Sequence, residues 1–119
     1  RVMLEMGTGA SMRSGDYQTA ALRAVEDATR HASLSFLRSL RIDPEELQVE
    51  MIIAAQEPDR IDLNAAAARI PFGHVTARAV KGGLDVEDAT SLHPAVVVNA
   101  ALILRLSDGV IAKFRAGSS

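Results

Sequence analysis

From Tyr17 to about Arg30 the sequence predicts a helix with an unusually small apolar face: Ala21, Ala24, Val25, Ala28 and, just beyond, Ala32. The three-and-four spacing of these residues is that of one helical stripe. A stripe built from alanine lets the helix lie close to a flat partner, and a β-sheet is the natural one. Arg23, Glu26, Asp27 and Arg30 take the opposite, solvated side. Asp16 stands where an N-cap is needed, its carboxylate placed to accept from free amides of the first turn. Whatever this chain folds into must supply a sheet for that helix.

Strand patterns lie on both sides of it. Residues 1–7 alternate, with Val2, Leu4 and Met6 on one face and Met3 and Glu5 on the other. An amphipathic segment from Ser33 to Ile42 ends at Asp43-Pro44. Leu47 to about Gln56 alternates again, Val49, Met51 and Ile53 against Gln48, Glu50 and Ile52, and Glu57-Pro58-Asp59 breaks it. Asp62 is the expected cap of a short second helix, Leu63 to Ile70, closed by Pro71-Phe72-Gly73. A third strand then runs from His74 to about Lys81 and stops at Gly82-Gly83. Residues 84–94 read as loop. Ala95 to Leu106, AVVVNAALILRL, carries the strongest strand pattern because of its β-branched run. Asp108-Gly109 signals a hairpin to an optional last strand, Val110 to Phe114. The expected class is α+β in the order β-α-β-α-β-β: a four-stranded mixed sheet with two helices on one face and an optional C-terminal fifth strand. At 119 residues this is one domain, with residues 107–119 as a hairpin or tail.

Charge and composition remove several function classes. Thirteen Lys and Arg stand against fifteen Asp and Glu, and the basic residues are scattered, so neither nucleic acid nor an anionic membrane is an expected partner. With no cysteine there is no disulfide, thiolate metal site or thiol chemistry. No apolar stretch approaches the ~20 residues of a membrane span. The opening RVMLEMG lacks a signal-peptide layout, and a cytoplasmic location is expected. His31, His74 and His93 have no ligand spacing, so no metal or cofactor is expected. The sheet face turned away from the helices is expected to carry Glu5, Gln48, Glu50, His74, Thr76, Arg78, Asn99 and Arg105 among Met3, Ile52, Val97, Ala101 and Ile103. Such a mixed face suits either the solvated side of an open sheet or a subunit interface, and with four aromatic residues in the chain an interface would compensate for a light core.

Residues 7–16, GTGASMRSGD, fall between the first strand and the helix. They lack the GK[ST] ending of a Walker A loop and the glycine spacing of a dinucleotide fingerprint. A strand-to-helix loop of this kind either starts the helix and nothing more, or holds a carboxylate, phosphate or imide oxygen on free amides helped by Arg13. Asp16 already occupies some of those amides, which moves a ligand toward Thr8, Gly9 and Ser11. Lys81, before Gly82-Gly83, is either a solvated strand end or an amine that leans over a cleft and activates a hydroxyl such as that of Ser11 or Ser14. The candidate ligand residues are Thr8, Gly9, Ser11, Arg13, Lys81, Gly82, Gly83 and Asn99, with no catalytic residue assigned.

The segments LEMGTG, GDYQTAALRAVEDA, IPFGHVTARAVKGGLDV and VVVNAAL together resemble, up to Leu106, an uncharacterised bacterial family of about this length named after a Listeria hypothetical protein. That family is similar to one repeat of the ring-opening amidohydrolases, cyanuric acid hydrolase and barbiturase, whose single chain concatenates three such units. The element order is also similar to trimeric chorismate-mutase-like and Rid-type folds. The resemblance implies a homotrimer with clefts between subunits. It does not carry over the reaction, because no serine and lysine here align with the amidohydrolase pairs, and lysine occurs only at 81 and 113. Two function classes follow: a small-molecule binding or hydrolase-like site at subunit interfaces, taking a small anionic or imide-like ligand, or a non-catalytic oligomeric structural or sensor module.

Overall fold

The β-branched run Ala95–Leu106 occupies the middle of the sheet, where both of its edges can be paired. The computed structural model describes residues 2–12, 15–31, 46–87 and 93–106. They form β1 (Val2–Ser11), α1 (Tyr17–His31), β2 (Leu47–Ala55), a 3-10 turn (Pro58–Arg60), α2 (Leu63–Ala67), β3 (His74–Lys81), β4 (Leu84–Val86) and β5 (Ala95–Leu106). The strand order is β1-β5-β2-β3, with β4 also paired to β5. β2 and β3 are parallel, whereas β5 runs antiparallel to β1, β2 and β4. β1, β2 and β3 therefore point the same way, and their C-terminal ends share one end of the sheet. The α+β class and both helices agree with the sequence reading.

The helix side of the sheet is the core. Val49, Met51 and Ile53 of β2 and Val96, Val98 and Leu102 of β5 are fully buried there against Val25 of α1. Gln48, Glu50 and Ile52 turn to the other face together with His74, Thr76 and Arg78, their partners across β2 and β3. Val97, Asn99, Ala101, Ile103 and Arg105 lie on that open face too, as the alternation predicts.

β1 departs from expectation in length and in facing. The strand does not end at Gly7 but continues through Thr8, Gly9 and Ala10 to Ser11, so half of the expected loop is strand. Its faces are also exchanged. Gly7, Gly9 and Ser11 are buried under α1, which puts Met3 and Glu5 on the same side, while Leu4 and Met6 are exposed on the open face. The cause is steric. A Cβ on Gly7 would lie 2.4 Å from the Ala24 carbonyl oxygen, and one on Gly9 would lie 2.1 Å from that of Ala20. Alanines on the helix and glycines on the strand bring the two backbones into contact, which neither apolar alternation nor turn chemistry discloses. Residues 84–94 are not all loop, since Leu84–Val86 form β4. α2 is shorter than expected, ending at Ala67. The segment Ser33–Ile42 and the last strand Val110–Phe114 lie outside the described residues; within them, β5 has β1 along one edge and β2 and β4 along the other.

Capping fixes where the helices begin. Asp16 accepts from Gln18 N at 3.0 Å and Thr19 Oγ1 at 2.7 Å, and Asp62 accepts from Ala65 N at 3.1 Å. Gln18 ties the two starts together, its amide donating to Asp62 O at 3.2 Å and accepting from Asp62 N at 2.8 Å. α1 also covers the outer edge of β1: Arg23 donates to Ala10 O at 2.6 Å and Asp27 accepts from Thr8 N at 3.0 Å. This blocks edge-to-edge pairing at that position. No helix among the described residues is long and apolar enough to cross a membrane.

Gly9→Ala should lower stability by about 3 kcal/mol, because the added methyl meets helix backbone that cannot rotate away. Denaturant unfolding measures it, and an unshifted midpoint would show that α1 does not lie this close to β1.

Candidate functional site

The end of the sheet at which β1, β2 and β3 finish gathers several polar residues with partners on other elements. Ser11 closes β1, and its buried hydroxyl oxygen accepts from Asp16 N at 3.2 Å. Gly15, at φ +59°, packs against Pro94 and His93 at the start of β5. Lys81 ends β3, exposed. After it, Gly82 N donates to Ala55 O at 3.0 Å, and Gly83 at φ +65° leaves no room for a Cβ beside the Val97 and Ala54 carbonyl oxygens. Gln56 holds this turn, its amide donating to Gly82 O at 2.9 Å and Gly83 O at 3.2 Å.

The candidates from the sequence thus separate into groups. Thr8 and Asn99 meet: they face each other across β1 and β5 on the open face, and Thr8 Oγ1 donates to Asn99 Oδ1 at 3.1 Å. Gly9 is turned to α1, away from that face. Ser11 and the Lys81-Gly82-Gly83 turn share one end of the sheet, yet β5 and β2 stand between β1 and β3. Three strand spacings of ~4.8 Å put roughly 14 Å between Ser11 and Lys81, too far for the amine to reach the hydroxyl within one chain. Arg13 and Ser14 lie outside the described residues.

What the sequence reading missed is a tyrosine–aspartate pair at the same end. β4 follows the Gly83 turn, and the Asp85–Val96 pairing points Asp85 to the helix side. There the buried Tyr17, first residue of α1, donates its hydroxyl to Asp85 Oδ2. The other oxygen, Oδ1, is buried with no hydrogen-bond partner. Burial first, and then the Asp85 carboxylate, push the Tyr17 phenol well above its ordinary value of 10.0. The guanidinium of Arg60, from the 3-10 turn, lies 5.2 Å from the centre of the Tyr17 ring and pairs with Glu57 at 3.2 Å. Asp16, the α1 cap, is held below the usual carboxylate range mainly by the Thr19 hydroxyl. One signal in the sequence marked Asp85: a carboxylate flanked by Leu84 and Val86, where alternation places it opposite the apolar side chains.

On the open face Glu50 accepts from Arg105 at 2.9 Å and Arg78 at 3.2 Å. Arg105, ahead of Arg78, lowers the carboxyl below its usual range. Glu5, expected on this face, belongs instead to the helix side, and Arg78 pairs with Glu50. Among the described residues no group of three or more His, Asp or Glu is arranged to hold a metal ion.

Residues 1–104 match the profile of a family described as conserved hypothetical protein, Lin0512. The chain belongs to the Lin0512 family. Its fold is also that of a crystal structure described as an FtsZ-like protein of unknown function from Nostoc punctiforme, with a TM-score of 0.75 and 24% identity over 88% of this chain and 94% of that one. No curated protein sequence matches. Family and fold are established by these likenesses; kinship with ring-opening amidohydrolases is a matter for proposal.

Tyr17 is the chain's one tyrosine, so phenolate absorbance reads it alone. In denaturant it should titrate near 10, and in the native protein only well above that. Because the folded value lies above the unfolded one, the neutral phenol contributes stability in full below pH 10, which is lost as pH rises from there toward the folded value. Tyr17→Phe should remove that slope from the stability profile, and native ionisation near pH 10 would contradict the burial.

Proposed function

We propose that this Lin0512-family chain works as a homo-oligomer, assembled through the open face of its sheet, with a small-molecule site at the C-terminal ends of β1, β2 and β3 beside the subunit boundary. One observation carries the reading: the large exposed apolar side chains gather on one face. Leu4 and Met6 are each 57% exposed and Leu84 57%, with Val86 at 45% and Met12 at 67%. Leu4 stands opposite Ile103, Met6 opposite Ala101 and Leu84 opposite Val97, so these residues join Ile52 in a continuous patch over four strands. A monomer rarely leaves such a patch open to water. Within it Thr8 is bonded to Asn99, and Glu50 to both arginines, so these groups would carry partners into an interface.

A trimer is the state that the resemblance to the amidohydrolase repeats favours. Assembly would also offer Lys81 a hydroxyl from a neighbouring chain, which its own fold places out of reach. Ligands in open α/β sheets bind beyond the carboxyl ends of the strands, the end where Ser11, Tyr17, Gly83 and Asp85 gather. A second reading, a non-catalytic oligomeric module, draws support from the packing duties of Gly9, Gly82 and Gly83.

Light scattering should give a multiple of the 12.7 kDa chain mass, and a value near 12.7 kDa would refute assembly. Val97→Asp or Ile103→Asp should dissociate the oligomer, because an unpaired charge buried at an interface costs several kcal/mol. An intact oligomer in both variants would move the interface off this face.

A further inference from the structure

We propose that the sheet end at Asp85 binds a small organic cation, a primary amine or a guanidinium, that donates N–H to the unpaired Oδ1 of Asp85. The proposal rests on the reading of the strand ends as the ligand site and names the ligand class. A buried carboxylate oxygen without a donor is rare and costly in a native fold. Here Oδ2 is satisfied by Tyr17 while Oδ1 has nothing. Among the described residues the Gln56 amide is spent on Gly82 O and Gly83 O, and the Arg60 guanidinium lies over the Tyr17 ring with one nitrogen paired to Glu57.

The surroundings decide the sign of the ligand. Asp85 and Glu57 both bear on the Tyr17 hydroxyl, and Asp16 precedes it on the α1 cap. Arg60 is the described cation at the ring, and its place over Tyr17 shows that positive charge fits against that aromatic face. An anion arriving here would face three carboxylates and one arginine already paired. An ammonium with three donors, or a guanidinium with five, supplies what Oδ1 lacks. The small anion that the glycine loop suggested suits this end poorly.

The test titrates the full chain with methylguanidine and with methylamine, and with acetate and inorganic phosphate as anionic probes, at constant ionic strength. Amide chemical-shift mapping and melting temperature are the readouts. A cationic probe should bind saturably, with shifts centred on Tyr17, Gly83 and Asp85. Asp85→Asn should weaken it about tenfold or more, the scale of one charged hydrogen bond. Undiminished binding in Asp85→Asn, shifts centred elsewhere, or no saturable binding of either cation, as when water alone completes Oδ1, each overturns the proposal. If Asp85→Asn does not fold, Tyr17→Phe decides: it keeps the acceptor and must still bind the cation, and loss of binding in folded Tyr17→Phe counts against the site. Anion binding that maps to the strand ends without cation binding keeps the strand-end site and overturns the ligand class, while the oligomer is read separately by mass.

Discussion

The contact of α1 with β1 governs the rest of this fold. Helix and sheet normally stand apart by the length of their side chains; here Gly7 and Gly9 on the strand meet Ala20, Ala24 and Ala28 on the helix, and the backbones touch. That closeness brings polar side chains of α1 within reach of the β1 edge. Arg23 and Asp27 reach over the β1 edge and bond Ala10 O and Thr8 N. It also sets the height of the first turn of α1 above the sheet. Tyr17 consequently lies level with β4 and bonds Asp85 across 68 residues of sequence.

The same contact explains the division of the sheet's faces. With Gly7 and Gly9 turned to the helix, β1 adds to the core little beyond Met3, and β2 and β5 fill it with Val49, Met51, Ile53, Val96, Val98 and Leu102. The large residues of β1, Leu4 and Met6, are left to the open face. A strand with glycine at 7 and 9 on its core side therefore projects Leu4 and Met6 outward, where they stand exposed among the described residues. Close packing on one face and an apolar surface on the other are two results of one choice of residues.

Much of this architecture is legible in the sequence because it depends on period and punctuation. The alternations in Leu47–Ala55 and Ala95–Leu106, the caps at Asp16 and Asp62, and the stop at Gly82-Gly83 are local and read correctly. β1 was misread because alternation gives two faces but not which of them is inward; Leu4 and Met6 outweigh glycine on any hydropathy scale, and only the alanine stripe of α1 reverses the choice. β4 is three residues long and pairs with Ala95–Val97 at the start of β5, and a strand that short leaves no alternation to read. The candidate site was less legible still. Thr8 and Asn99 were named separately, and their meeting depends on the antiparallel register of β1 and β5. Asp85 is marked only as a carboxylate between Leu84 and Val86 and Tyr17 not at all, and their pairing exists only once strand order is known.

Strand order also separates what belongs to one chain from what belongs to several. β5 and β2 lie between Ser11 and Lys81, so about 14 Å separates these two residues within the chain. Tyr17 and Asp85 are brought together by α1 and β4, both packed on β5, and need no neighbour. Ser11 and Lys81 are thus out of each other's reach within one chain, whereas the Tyr17–Asp85 pair is complete within it. The open face and the strand ends are then distinct regions: the first runs across β1, β5, β4 and β2, and the second is built where α1 and β4 meet beside the Gly82-Gly83 turn.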